Sequence, residues 1–523
     1  MQNYLSISIA RRIRSFLRAD AAKILGYFPI PSLSHQVVFR SLMLELARRG
    51  HEVVTITTDP AFPKGKTPAN LTEIDVHDIS YSNWFKTLSS PTIPGNMIEW
   101  AEQGHAGFDA ILRIVEIHLS LEEVKEVLHE SKKYDLLILE SCAFGTLALT
   151  HLFKVPAIHI SSFGALYFNL KTVGAPMHLF HQPYAVQNRI SKLSLWEKLN
   201  ELHVFYALDD VYSTHERKSD IMFKKVFGPS FPELKELKNN VDMLFLNVHP
   251  LWEMNRPMPP NVVYMGGLHQ VSPKEIPQDL KTYLDSSKNG VIYVSFGTNV
   301  DPAYFPADKL QILVNTFSKL PYDVLWKWNH DELPGRTPNI RIAKWLPQAD
   351  LLRHPKVKLF ITQGGLQSTD EAITAGVPMI GIPILGDQWY NAELYVYHKI
   401  GMRVDLPTAT EEILLNAINT ITKNDSYREN IVKLRSILRD EIQSPMERAV
   451  WWTEYVLRHG GAKHLRSPLA NLTWTEYLEL DLVLFLTASF VCIVLLSIFI
   501  ILILYRFLRN LVIVCRNSKL KRS

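Results

Sequence analysis

The stretch 360–391 constrains the fold more than any other part of the chain. An apolar run, Val357–Thr362, ends at Gly364-Gly365, and a helical segment and a second apolar run follow. A strand that ends in two glycines and opens into a helix presents free backbone N–H groups at the positive end of that helix, which suits a pyrophosphate. The pattern predicts a strand–turn–helix unit with an anion site at the turn.

Polar residues in the same stretch could hold the rest of a nucleotide-sugar. Gln367 and Ser368 belong to the predicted phosphate turn. Glu371 lies three residues after Ser368, so both face one side of the helix and Glu371 comes within reach of ribose hydroxyls. Asp387 and Gln388 follow the next strand and could bind the hydroxyls of a sugar. The spacing therefore indicates a site for a whole nucleotide-sugar.

These residues resemble the signature of the UDP-glycosyltransferases, in particular the animal, insect-like branch. The resemblance runs from about Ile24 to the C-terminus. It includes Ser34-His35-Gln36, Arg49-Gly50-His51-Glu52-Val53, Gly266-Gly267, Ser295-Phe296-Gly297-Thr298 and Trp345-Leu346-Pro347-Gln348. It implies an α/β protein of GT-B architecture, with two doubly wound Rossmann-like domains that face a cleft.

The distribution of apolar runs predicts two such domains. A strand, a helix that stops at Gly50 and a second strand form a βαβ unit near the N-terminus. Strands of the first half are predicted at Lys23–Ile30, His51–Thr58, Tyr134–Glu140, Pro156–Ser161 and Asp242–Asn247, and those of the second half at Val291–Ser295, Asp323–Trp328, Ile340–Ala343, Val357–Thr362 and Pro378–Ile382.

The chain divides into seven predicted segments. They are an atypical N-terminal segment (1–22), an acceptor-binding Rossmann-like domain (23–265), a linker (266–288), a UDP-sugar-binding Rossmann-like domain (289–444), a C-terminal helical return (445–480), a transmembrane helix (481–505) and a basic cytoplasmic tail (506–523).

The C-terminal apolar run predicts one membrane span. Leu482–Tyr505 comprises 24 residues without a charge, which exceeds the roughly 30 Å hydrocarbon core at about 1.5 Å per residue. Basic residues dominate after the run, so the positive-inside rule places the tail in the cytoplasm. Lys519 and Lys521 resemble a dilysine signal of the endoplasmic reticulum, which predicts a single-pass protein of that membrane with a lumenal body.

The first 22 residues fit this location less well. They carry four arginines and lack the apolar core of a signal peptide, and look more like a basic amphipathic segment or presequence. The lumenal placement therefore stays open. Sequons at Asn70, Asn424 and Asn471 are glycosylation candidates if the body is lumenal.

Charge and cysteine content exclude other classes. A net charge of +4 over 523 residues gives no nucleic-acid footprint. Cys142, Cys492 and Cys515 form neither a disulfide framework nor a metal-ligand spacing. Since the chain also has no Asp-x-Asp motif, we expect no metal cofactor, with the UDP-sugar as co-substrate.

His35 is the candidate base. It follows the first strand at a helix start, where parallel sheets place their ligands, and the positive helix end favours the neutral imidazole. The resemblance implies a carboxylate on a later strand that orients this histidine. Alignment places Glu140 there, although the family has aspartate, and Asp135 at the start of the strand is the second candidate.

The other donor residues come from the second half. Ser295, Gly297 and Thr298 form a small-residue turn that could approach the diphosphate. The resemblance implies that Trp345 stacks on uracil and that Gln348 reaches the ribose. Many relatives have histidine where this chain has Gln363, which can donate a hydrogen bond but carries no charge.

We therefore expect an inverting, metal-independent hexosyltransferase that moves a sugar from UDP to small lipophilic hydroxyl compounds. Glucose is favoured over glucuronate because residues 386–389 offer no cation for a carboxylate. Segments 80–115 and 165–205 would build the acceptor pocket, and a homo-oligomer is compatible with the sequence. The alternatives are an impaired member that binds lipophiles or partner proteins, and another nucleotide-sugar enzyme such as an epimerase.

Overall fold

The computed structural model describes residues 21–88, 100–129, 131–182, 190 and 193–520. The predicted N-terminal segment lies outside the described residues, apart from residues 21 and 22. Parts of the segments 80–115 and 165–205 also lie outside them, as does Lys521 of the dilysine pair.

The first lobe is built on a parallel sheet of seven strands in the order β3-β2-β1-β4-β5-β6-β7. Its central strands are buried along nearly their whole length because helices cover both faces of a parallel sheet. The strands are β1 (Lys23–Phe28), β2 (Glu52–Thr57), β3 (Leu71–Asp75), β4 (Leu136–Glu140), β5 (Ala157–Ser161), β6 (Val241–Leu246) and β7 (Val262–Tyr264).

The second lobe repeats this plan with six parallel strands in the order β10-β9-β8-β11-β12-β13. The strands are β8 (Val291–Ser295), β9 (Asp323–Lys327), β10 (Ile340–Ala343), β11 (Val357–Thr362), β12 (Met379–Gly381) and β13 (Gly401–Arg403). Two all-parallel sheets of this kind confirm the predicted pair of Rossmann-like domains.

Helices join the strands throughout. Those of the first lobe are α1 (Leu33–Arg48), α2 (His77–Leu88), α3 (Trp100–His118), α4 (Glu122–Leu128), α5 (Ala148–Phe153), α6 (Tyr167–Val173), α7 (Leu195–Phe227) and α8 (Leu234–Leu237). They are followed by α9 (Gln278–Ser286), α10 (Ala307–Ser318), α11 (Gln348–Leu352), α12 (Leu366–Ala375), α13 (Gln388–Tyr397), α14 (Glu411–Thr422), α15 (Ser426–Arg439), α16 (Pro445–His459), α17 (Trp474–Tyr477) and α18 (Leu480–Leu520).

Each sheet reverses its winding direction at one point. Strand β1 lies between β2 and β4, and β8 lies between β9 and β11. Loops after neighbouring strands diverge there and leave a crevice at the carboxyl edge, where open α/β sheets bind ligands. The two carboxyl edges approach each other, since Asn299 Nδ2 donates to Ser32 Oγ over 2.9 Å.

Helix α16 returns to the first lobe. Ala449, Val450 and Val456 pack in one apolar cluster with Val38 and Phe39 of α1. Asp242 at the start of β6 fixes the chain beyond this helix, because its Oδ1 accepts from Ala462 N over 2.8 Å and its Oδ2 accepts from Ala157 N over 3.0 Å. One buried carboxylate therefore ties the returning chain to strand β5.

Residues 471–523 form a second compact unit. Within it α18 has 41 residues, of which Leu480–Cys515 is long and apolar enough to cross a membrane. Among the described residues no other helix meets both criteria.

Replacing Asp242 by alanine should destabilise the body of the protein. The change leaves two buried N–H groups without an acceptor, and each such group costs about 1–3 kcal/mol. Denaturant unfolding of the detergent-solubilised protein measures the loss. Asp242→Asn keeps one acceptor oxygen and should lose less; equal stability of the two variants would contradict this role.

Candidate active site between the two sheets

His35 and Glu140 meet at the reversal point of the first sheet. His35 lies in the first turn of α1, directly after β1, and Glu140 ends the neighbouring strand β4. Their Nδ1 and Oε1 atoms are 2.8 Å apart, and Glu140 Oε2 accepts from Ile30 N over 3.1 Å. Because a carboxylate accepts, Nδ1 carries the proton and Nε2 keeps a free lone pair.

Glu140 is almost completely buried, and burial raises its pKa. The contact with His35 and the hydrogen bond from Ile30 oppose this rise. Asp135 lies at the other end of the strand, where its Oδ2 accepts from Lys23 N over 2.7 Å. The carboxylate beside His35 is thus Glu140.

The turn after β8 lies at the reversal point of the second sheet. Gly297 N donates to Ser295 Oγ over 3.3 Å, and Thr298 is exposed. Gly297 has φ +73°, and a Cβ there would stand 2.1 Å from Gln363 Nε2. A side chain at residue 297 would therefore displace the Gln363 amide, and the left-handed backbone conformation there favours glycine.

Gly364 and Gly365 lead from β11 into α12. Gly364 has φ +92°, and its N–H donates to Thr362 Oγ1 over 3.2 Å. Gly365 is the N-cap and supplies no side-chain hydrogen bond, so the first N–H groups of α12 stay available for an anion. Gln367 Nε2 instead donates over 2.8 Å to the carbonyl of Ser162 in the first lobe.

Gln348, Ser368 and Glu371 form a connected cluster. Gln348 Nε2 donates to Ser368 Oγ over 2.9 Å and to Glu371 Oε2 over 2.8 Å, while Tyr293 OH donates to Gln348 Oε1 over 3.0 Å. Burial raises the pKa of Glu371 to about 6. Trp345, three residues before Gln348, is 65 % exposed, so its ring is free to take a planar ligand.

Asp387 and Gln388 begin α13 on the same side of the cleft. Asp387 Oδ2 accepts from Asn391 Nδ2 over 2.8 Å. Burial raises its pKa to about 6, while the hydrogen bond from Asn391 and, when its ring is protonated, the charge of His35 act in the opposite direction. Gln388 Oε1 accepts from the backbone N–H groups of Ile384 and Leu385, and so shapes the loop before the helix.

Sequence reasoning missed several residues at this place. Tyr293 orients Gln348, and the Phe163 ring lies 5.5 Å from the His35 ring, edge to face. Asn391 lies four residues after Asp387 on one helix, a spacing that puts the two side chains side by side and could have indicated the contact.

The remaining candidates are the three glycosylation sequons and any metal site. Asn70 Nδ2, the atom to which a glycan would attach, donates to the carbonyls of Ala47 and His51. Asn424 is exposed, and Asn471 belongs to the second unit. In the described part of the chain no group of three or more His, Cys, Asp or Glu side chains is arranged to hold a metal ion.

Two all-parallel lobes with facing carboxyl edges define the GT-B class of glycosyltransferases. Solved structures share this fold. The glycosyltransferase of kitacinnamycin aligns with a TM-score of 0.56 at 20% identity, covering 82% of this chain and 98% of its own. A UDP-glucosyltransferase from Polygonum tinctorium aligns with 0.57 at 14% identity, covering 84% and 99%.

The sequence narrows the class further. A model of the family described as "UDP-glucoronosyl and UDP-glucosyl transferase" matches residues 23–517. An ecdysteroid UDP-glucosyltransferase of Spodoptera littoralis nuclear polyhedrosis virus is 36% identical over 90% of this chain and 94% of its own. The UDP-glycosyltransferase UGT5 of Dactylopius coccus is 32% identical over 91% of both. The chain belongs to the UDP-glycosyltransferase family.

Binding of UDP-glucose near pH 6 should release protons. Glu371 and Asp387 have pKa values of about 6 in the free protein, and hydroxyl donors of a ligand favour their ionised forms. Release should be greatest somewhat below pH 6, between the pKa values of the bound and the free protein, and should fade by pH 8. Calorimetry in buffers of different ionisation enthalpy counts the protons, and Glu371→Gln should remove that residue's share. An unchanged count in this variant would contradict a hydroxyl contact.

Proposed function

We propose that this enzyme transfers glucose from UDP-glucose to a hydroxyl group of small lipophilic acceptors, by an inverting and metal-independent reaction with His35 as the base. The observation that carries the proposal is the short hydrogen bond from His35 Nδ1 to Glu140. It leaves Nε2 as a proton acceptor at one edge of the cleft, and Asp387 on the opposite edge lies close enough for a protonated His35 to lower its pKa.

The reaction is a single displacement. The acceptor oxygen forms a bond to the anomeric carbon while its proton passes to His35 Nε2. The bond from that carbon to the diphosphate oxygen breaks, and the electron pair leaves with UDP. Attack opposite the leaving group inverts the anomeric centre. Glu140 stabilises the imidazolium that forms, as the carboxylate of a catalytic triad does.

The leaving diphosphate would lie at the N-terminus of α12. The Gly364-Gly365 turn brings backbone N–H groups to the positive end of this helix without a side-chain cap. Fixed dipoles at such a place stabilise developing negative charge, so the step needs no divalent ion. Trp345, Gln348 and Glu371 would hold uracil and ribose, and Asp387 and Gln388 the sugar.

Two observations favour the choice of substrates. The run Gly386-Asp387-Gln388-Trp389 contains no Arg or Lys for a glucuronate carboxylate. The viral relatives are named for the glucosylation of ecdysteroids, which are lipophilic, and Phe163 offers an aromatic edge beside His35. We also propose that α18 anchors the enzyme in the endoplasmic reticulum membrane, with the body in the lumen.

His35→Ala should lose most turnover and keep its affinity for UDP, because the base and the nucleotide residues belong to different lobes. Removal of a general base costs about 10²–10⁴ in rate. Steady-state rates in membranes and UDP titration measure the two effects. Glu140→Gln should lose much of the rate as well, while Asp135→Asn, which lies far from His35, serves as the matched control.

Loss of UDP affinity together with activity would make His35 a structural residue. A wild-type protein that binds UDP-glucose and yet turns over no phenolic or steroid acceptor would favour the alternative, an impaired member that only binds lipophiles or partners.

UDP-glucose should be a better donor than UDP-glucuronate with the same acceptor. The sugar loop supplies a carboxylate and an amide, and the Asp387 carboxylate would repel that of glucuronate. Rates with both donors on one good acceptor decide the question, and a preference for glucuronate would show that a cation reaches the sugar from elsewhere.

A further inference from the structure

Asn391 joins the sugar carboxylate to the phosphate turn. Its Nδ2 donates to Asp387 Oδ2 and to the carbonyl of Gly364, both over 2.8 Å, and its Oδ1 accepts from Trp252 Nε1, also over 2.8 Å. Its side chain is buried, and both of its N–H bonds and its oxygen have partners. The amide thus holds Asp387 and the turn that would face the diphosphate in one fixed relation.

Trp252 determines which way this amide points. An indole nitrogen can only donate, so it must face Oδ1 of Asn391 and not Nδ2. The two N–H bonds are then directed at Asp387 and Gly364. Without the indole N–H the amide would lose one of its three hydrogen-bond partners, and its two N–H bonds would be held less firmly on Asp387 and Gly364.

Trp252 reaches this place from the other lobe. It lies in the short helical turn Pro250–Glu253 that follows β6 of the first lobe. Its indole stacks on His398, with ring centroids 5.7 Å apart and planes 15° apart, and its carbonyl accepts from Tyr390 OH over 2.7 Å. A buried side chain of one lobe is therefore anchored among helix residues of the other.

We propose that Trp252 and Asn391 are positioning residues for the donor: the indole of the first lobe fixes the Asn391 amide, and the amide orients Asp387 and the Gly364 turn for the sugar and the diphosphate. The roles of Asp387 and Gly364 in this statement rest on the proposed function. The hydrogen bonds of Trp252 and Asn391 are present in the protein without a ligand, so they do not depend on that function.

The pH dependence of donor use reports on this arrangement. The N–H of Asn391 lowers the pKa of Asp387, against the rise that burial causes. Loss of the oriented N–H should therefore move the protonation of Asp387 to higher pH. The other titratable or charged groups around Asp387 are His35 of α1, Cys142 after β4, Tyr395 of α13, and Glu253 and Arg256 across the shared cavity.

The test compares Trp252→Phe with Trp328→Phe. Both indoles are buried and both donate through Nε1, but Trp328 donates to the carbonyl of Glu332 in the second lobe. The acid limb is the fall of kcat/KM for UDP-glucose at low pH. We expect Trp252→Phe to move this limb to higher pH by about one unit, so that kcat/KM falls roughly fivefold at pH 6 and changes little at pH 8. Trp328→Phe should leave the limb where it is in the wild type.

A second variant covers poor folding of Trp252→Phe. Asn391→Asp keeps the size of the side chain but replaces the N–H donors of Asp387 by a carboxylate, so the limb should rise at least as far. A limb that stays unchanged in both variants, or that moves equally in Trp328→Phe, would overturn the proposal.

The pH dependence of UDP-glucose affinity gives the same information without turnover. An enzyme that fails to transfer glucose would refute the proposed function. The pH dependence of UDP-glucose affinity would still decide whether Trp252 and Asn391 act on Asp387.

Discussion

The direction of the strands is the constraint on which the rest of this structure depends. Every strand of a parallel sheet delivers its following loop to the same edge, and each sheet here reverses its winding once along that edge. In the first lobe the reversal brings the turn after β1 beside the end of β4, and hence His35 to Glu140. In the second lobe it brings Gly297 beside Gln363. Side chains that are far apart in the chain become neighbours without any special contact in the loops.

Burial of carboxylates at this edge works against stability at neutral pH. Burial raises the pKa values of Glu371 and Asp387 to about 6 and that of Asp370 to about 8. A carboxyl group whose pKa is raised on folding stabilises the fold fully at low pH, and this contribution is lost as the pH rises through the folded value. Glu371 and Asp387, the proposed hydroxyl-binding residues, therefore reduce the stability of the ligand-free protein at neutral pH.

The sequence predicted the central elements well, because their signals are local. Apolar runs such as Val357–Thr362 coincide with buried strands, and the Gly-Gly turn falls between β11 and α12 as expected. The short strands β3, β7 and β13 were missed. All three lie at sheet edges; β3 is mostly polar, and β7 and β13 have only three residues each, so none has the long apolar run of a central strand.

Contacts between distant residues were the harder part of the site. The placement of His35 beside Glu140 needed the strand order, which a family resemblance supplied. The hydrogen bond from Trp252 to Asn391 spans 139 positions and carries no local pattern. The same holds for Gln367, whose amide is bonded to Ser162 across the cleft and so has a partner that its position in the turn did not suggest.

The hydrogen bonds across the cleft bear on how such an enzyme could be recombined. The proposed base and the proposed nucleotide residues belong to separate lobes, which invites chimaeras made by exchanging whole lobes between relatives. Hydrogen-bonded pairs of side chains nevertheless cross the join, among them Asn299 with Ser32 and Trp252 with Asn391. A hybrid that inherits one member of such a pair without the other buries an unmatched polar group at the seam. The crossover point in sequence is then less important than the compatibility of such pairs.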